Sequence, residues 1–94
     1  MQIVVKKFGG TSVADITRIR QVAKLVSEFR QKNPTIKIAV VASAMAGETN
    51  KLLAMARSCV AKPSARELDV LLATGEQVTV ALLSMALNEL GIQA

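Results

Sequence analysis

The chain has 94 residues, 51% of them apolar, a net charge of +5, one cysteine and no histidine. The apolar share opposes intrinsic disorder, the length suits one small domain, and a lone Cys59 without histidine excludes an internal disulfide, a Cys/His zinc site and a histidine base. The 12 basic residues are scattered and the 2 aromatics are Phe8 and Phe29, which argues against a nucleic-acid surface and for a solvated charged face.

Ile3 to Phe8 is a short, β-branched apolar run and reads as a buried strand. Gly9-Gly10 end it. Ser12 and Asp15 have the spacing of a capping box. Apolar residues then recur at Val13, Ile16, Ile19, Val22, Ala23, Val26 and Phe29, the period of a helix. That helix is predicted from about Val13 to near Lys32, where Asn33-Pro34 signals a turn. Ile36 to Ala42 reads as a second buried strand. Strand, helix and strand without alternation predict a parallel βαβ unit with a right-handed crossover.

Ser43 to Thr49 (SAMAGET) is then the loop at the carboxyl end of the second strand. Asn50 to about Val60 reads as a short helix facing Leu52, Leu53, Ala56, Cys59 and Val60 inward, with Cys59 as a small core residue. Lys62-Pro63 breaks it. Ser64 and Glu67 form a capping-box pair for a long last helix, whose stripe is Leu68, Leu71, Leu72, Val78, Leu82, Met85, Ala86 and Leu90. Gly75 inside it costs about 1 kcal/mol relative to alanine and so points to a bend or a close backbone contact. Gly91 is a helix end, and Ile92-Gln93-Ala94 reads as the opening of another strand. Two strands leave an unfinished sheet, so residues 1–94 are expected to be part of a larger α/β domain. No uninterrupted apolar run has the length of a membrane span; residues 78–87 come nearest. The N-terminus does not read as a signal peptide, and a reducing, cytoplasmic setting is expected.

Ligands of open α/β sheets bind beyond the carboxyl ends of the strands. Two segments lie there, KFGGTS and ASAMAGETN, both rich in glycine and hydroxyls and both leading into helices. Gly9 and Gly10 let an anion approach their N–H groups, the next helix start offers further donors, and Lys7 adds a mobile positive charge. Such a cluster offsets the charge of a transferring phosphoryl group. From the residues alone this reading stands level with a tight turn that needs glycine for its backbone. The pattern is not a Walker A loop, since the Gly-Lys-Ser/Thr ending is missing. In the second loop, Ser43, Thr49 and Asn50 could hold a small polar substrate, or Thr49 could cap a helix. Glu76 is the odd carboxylate of the last helix, a substrate or Lys7 partner on one reading and a solvent-facing boundary residue on the other.

VVKKFGGTSVAD, VVASAMAGETNKL and RELDVLLATGEQVTVALLSMALNELGIQA, in that order, resemble three signature blocks of aspartate kinases of the short monofunctional type, members of the amino-acid kinase family. The likeness covers essentially the whole chain. It implies the N-terminal βαβ-plus-helices portion of a three-layer, parallel-sheet α/β fold. It also implies transfer of the γ-phosphoryl group of ATP, with Mg²⁺, to the side-chain carboxylate of L-aspartate, toward lysine, threonine and methionine. Carried over residue by residue, Lys7 contacts the transferring phosphates and Gly9 and Gly10 donate to them. Thr11 and Ser12 line the same turn. Ser43 and Thr49 help bind aspartate, and Glu76 binds its amino group or orders Lys7. The resemblance further implies a homo- or hetero-oligomer. It places an aspartate-binding arginine, the adenine and ribose contacts, much of the magnesium site and the regulatory domains outside these 94 residues, so that the 94 residues alone are expected to be inactive. A different acceptor, or a non-catalytic phosphate-binding module, is the alternative.

Overall fold

A computed structural model describes the whole chain, Met1 to Ala94. Its elements run β1 (Ile3–Phe8), α1 (Ile16–Lys32), β2 (Lys37–Ala42), α2 (Glu48–Cys59) and α3 (Ala65–Glu89). β1 and β2 form a two-stranded parallel sheet in a register that sets Ile3 opposite Lys37 and Phe8 opposite Ala42. The strand–helix–strand unit expected from the apolar pattern is therefore present, and both strands end at one edge.

α1 and α3 pack on each other and on one face of the sheet. Ile19, Val22, Ala23 and Val26 of α1, with Val13 just before it, meet Leu83 and Leu87 of α3. Phe8, Ile38, Val40 and Ala42 close this core from the sheet side. Burying one such side chain fully is worth about 1.5–3 kcal/mol, so this cluster dominates the stability of the unit.

The opposite face of the sheet is bare. Ile3 is 58% exposed, Val5 65% and Val41 48%, whereas both strands were expected to be buried. A strand shows its residues alternately to two faces, and helices cover only one here. The accessible surface is 6655 Å², against about 5,200 Å² for a compact monomer of this mass.

Other differences have local causes. α1 begins at Ile16, not near Val13, because Asp15 is its N-cap: the Arg18 N–H donates to Asp15 Oδ1 at 2.8 Å. Residues 9–13 instead form a turn in which the Ser12 and Val13 N–H groups donate to the Gly9 carbonyl at 3.0 and 3.3 Å. α2 starts two residues earlier than expected, behind Gly47 in the left-handed region at φ 78°. Cys59 and Val60 are exposed rather than core, since α2 meets α3 only through half-buried Leu52, Leu53 and Ala56 on its inner side.

The seam of α3 is Gly75, Thr79, Leu83 and Leu87, four residues apart. Val78, Met85 and Leu90, placed on its stripe by sequence, are about half or more exposed. Thr79 is fully buried, and its hydroxyl finds a partner there by donating back to the Gly75 carbonyl at 3.4 Å. By length and composition α3 is long and apolar enough to cross a membrane, with mean hydropathy 1.6 over 18 residues, although apolar runs in the sequence stop short of a span. Ser64 caps it by position without a side-chain hydrogen bond. At its end Gly91, φ 85°, allows Ile92 N–H to reach Leu87 O and Gly91 N–H to reach Asn88 O, both at 3.0 Å. Residues 92–94 pair with no strand; Ala94 N–H donates to Asn88 Oδ1 instead.

Candidate functional site

Parallel pairing puts the two glycine- and hydroxyl-rich loops side by side. The ladder continues past β2, where the Ser43 N–H donates to the Phe8 carbonyl at 3.3 Å. The loops touch again where the Ala46 N–H donates to the Ala14 carbonyl at 3.2 Å. A methyl group built at Gly10 would lie 3.9 Å from the Ala44 carbonyl oxygen. The rim above the strand ends is thus one continuous surface made from both loops.

Strand parity sorts the adjacent lysines. Lys6 shares a face with Phe8, and its ammonium sits 4.0 Å from the centroid of the Phe29 ring. Lys7 lies on the bare face, exposed, and makes no hydrogen bond within the chain. Its neighbour across the sheet is Val41, two residues before Ser43.

The N–H groups of Gly9, Gly10 and Thr11 have no acceptor within the chain. The glycines also face little or no crowding. Nothing lies within 4 Å of a Cβ built on Gly9, and the 3.9 Å contact at Gly10 is an ordinary one. Neither has a positive φ, a property only Gly47 and Gly91 show. The turn itself therefore does not require glycine at either position. What the glycines provide is outward, a patch of free N–H groups with no side chain above it.

Of the other residues singled out by sequence, Thr11 is exposed, and Ser12 and Ser43 are half-buried at the rim. Thr49 is exposed in the first turn of α2 and does not cap it; Gly47 occupies that position without a side-chain bond. The Thr49 and Asn50 N–H groups are without acceptors, so the α2 start adds donors at its positive dipole end. Glu76 is exposed and follows buried Gly75, which packs on the second loop. Its carboxylate lies off the apolar seam, so burial imposes no partner on it.

Sequence reasoning missed Ala44. It is buried, 7% exposed, and touches the Gly10 turn through its carbonyl and the Gly75 position through its Cβ. The run of small residues around it was the available signal. Three surface grooves have volumes of 570–580 Å³, and none is lined by Lys7 or residues 9–12. One runs between β2, α1, α3 and residues 91–94 and the other two along the helices, whereas the strand-end rim carries the unpaired donors, and polar donors rather than groove volume decide where an anion binds.

The amino acid kinase family model matches residues 2–94. The chain belongs to the amino acid kinase family. Membership accounts for the parallel α/β arrangement with its loops at the strand ends. The chain is 52% identical over 94 residues to an aspartokinase of Pseudomonas aeruginosa, covering all of this chain and 22% of that protein. It is 50% identical over 94 residues to an aspartokinase of Thermus thermophilus, again over all of this chain and 23% of the relative. The crystal structure of an aspartate kinase from Synechocystis superposes with a TM-score of 0.88 at 44% identity, over 94% of this chain and 15% of that one. The chain thus spans about a fifth of the length of the curated relatives it matches. Kinase chemistry is the family's common property.

Proposed function

We propose that the polypeptide carrying this chain is an aspartate kinase, transferring the γ-phosphoryl group of ATP to the side-chain carboxylate of L-aspartate. The product is 4-phospho-L-aspartate, the first intermediate toward lysine, threonine and methionine. One observation carries the reading: Gly9, Gly10 and Thr11 present free N–H groups at the strand-end rim, unneeded by the fold, beside the exposed Lys7. The names of the relatives supply the acceptor.

In this reading the N–H groups of residues 9–11 and the Lys7 ammonium hold phosphate oxygens of the nucleotide. The aspartate side chain, with an ordinary pKa of about 3.9, is already ionised at neutral pH and needs no protein base. One carboxylate oxygen attacks the γ-phosphorus, the bond to the β–γ bridging oxygen breaks, and ADP leaves. The chain contributes position and positive potential, which is most of what phosphoryl transfer asks of a protein. Ser43 and Thr49 hold the acceptor from the second loop, and Glu76 receives its ammonium group or orders Lys7. Magnesium accompanies the nucleotide; no cluster of three carboxylate, cysteine or histidine side chains forms in this chain.

The domain assignment follows: residues 1–94 are the N-terminal portion of a kinase catalytic domain, working in the cytoplasm as part of an oligomer. The test is an assay for acyl phosphate, trapped as the hydroxamate, on the protein expressed from its complete reading frame. Aspartate should be phosphorylated well above N-acetylglutamate or glutamate. Preference for another acceptor would leave a kinase but remove the aspartate assignment. Absence of transfer to any of them would leave a phosphate-binding module.

A further inference from the structure

The geometry points to Gly75 of α3 as a positioning residue that sets, through Ala44, how closely the second loop approaches the Gly10 turn. The spacing is a property of the fold, and only its effect on activity rests on the kinase reading. A Cβ at Gly75 would fall 3.3 Å from Ala44 Cβ, 3.3 Å from Leu52 Cδ1 and 3.8 Å from Glu48 Cβ. The 3.8 Å distance is an ordinary contact, but each 3.3 Å distance requires a neighbour to give way by a few tenths of an ångström. Leu52 offers the end of a flexible side chain, whereas Ala44 Cβ is fixed to backbone.

Ala44 has nowhere easy to go. It is 7% exposed, and its carbonyl oxygen faces the Gly10 position at 3.9 Å. Two residues on, the Ala46 N–H is tied to the Ala14 carbonyl at 3.2 Å. One residue back, the Ser43 N–H is tied to the Phe8 carbonyl at 3.3 Å. Gly75, Ala44 and Gly10 therefore stand in series, α3 against the second loop against the first. An added methyl group at 75 presses Ala44 toward the Gly10 turn, whose neighbouring N–H groups are free, and strains flanking Ser43 with it. In-line transfer needs donor and acceptor held close to one geometry, and these two loops are where the two substrates are held.

Gly75→Ala, alone and with Ala44→Gly, tests this in the protein expressed from its complete reading frame. Alanine favours a helix interior over glycine, so propensity alone would make Gly75→Ala neutral or stabilising. The expected result is a fall in kcat/KM for aspartate of about fourfold to tenfold in Gly75→Ala, since a shift of a few tenths of an ångström is a fraction of the ~1 Å that costs about a hundredfold. Removing the opposing methyl in Gly75→Ala/Ala44→Gly should bring kcat/KM back to within about twofold of Ala44→Gly alone, about 0.4 kcal/mol and inside the margin within which independent sites add. Unchanged activity in Gly75→Ala overturns the proposal, and so does a loss that Ala44→Gly fails to relieve. If Gly75→Ala does not fold, the double variant against Ala44→Gly decides alone. If the parent protein lacks aspartate kinase activity, amide NMR signals decide: those of Gly9, Gly10 and Thr11 should shift in Gly75→Ala and return in the double variant. Signals that stay put in Gly75→Ala overturn it whatever the activity.

Discussion

Replacing Gly9 and Gly10 by alanine separates folding from function at a single place. Neither glycine has a positive φ, and no atom comes nearer than the 3.9 Å of the Ala44 oxygen to either added Cβ. The fold should tolerate both changes. Reduced freedom of the unfolded chain would even add about 0.4–1 kcal/mol of stability at a compatible site. Activity should move the other way, because each methyl group stands over a free N–H that is proposed to hold a phosphate oxygen. Loss of one hydrogen bond to a charged group is worth about 1.5–3 kcal/mol, which is roughly a 10- to 150-fold fall in kcat/KM. Urea unfolding gives the first quantity, and aspartyl hydroxamate formation against ATP concentration gives the second. Destabilisation of either variant by more than about 1 kcal/mol with normal turnover would mark a tight-turn glycine and refute a phosphate-binding role.

Lys7→Ala should lower kcat about a hundredfold in the same assay with ATP binding changed far less, since its charge contact strengthens as the phosphoryl group transfers. Lys6→Ala is its internal control: it should leave turnover intact and cost about 0.5–1 kcal/mol in urea unfolding through the lost contact with the Phe29 ring. Thr49→Ala should raise KM for aspartate with stability unchanged within about 0.5 kcal/mol; a loss near 1 kcal/mol would mark a helix cap instead. Glu76→Ala, at an exposed site, should likewise harm aspartate use without loss of stability, and a normal KM and kcat would remove Glu76 from the site. Gly91→Ala should destabilise by about 1–2 kcal/mol without touching activity, because alanine is strained at φ 85°.

The order and type of the five elements were legible in the sequence, because the helical periods are long and the strand runs are dense in β-branched residues. Parallel pairing followed, and with it the meeting of the two loops at one edge. What escaped depended on which faces are covered. Ile3 and Val5 are as apolar as core residues, and only the one-sided packing of helices leaves them bare. Cys59 and Met85 are exposed for a similar reason. The α1 cap went to Asp15 rather than Ser12 because the Gly9 carbonyl accepts from residues 12 and 13 and completes a separate turn first. In the site, Lys7 and the glycine pair stood out by type. The link from Gly75 to Ala44 did not, since an interior helical glycine says that something comes close without saying what.

Lys6 and Lys7 differ in nothing but odd and even. A slip of β1 by one position would turn its other side outward, seating the Lys7 ammonium on the aromatic ring and placing Lys6 on the bare face, away from the proposed phosphate site. The protein would still look folded, with equal charge and equal strand content, but without the lysine that the proposed transfer uses. If the proposed kinase activity holds, turnover is a sensitive gauge of pairing alignment, able to expose a mis-threaded first strand that circular dichroism would pass as native.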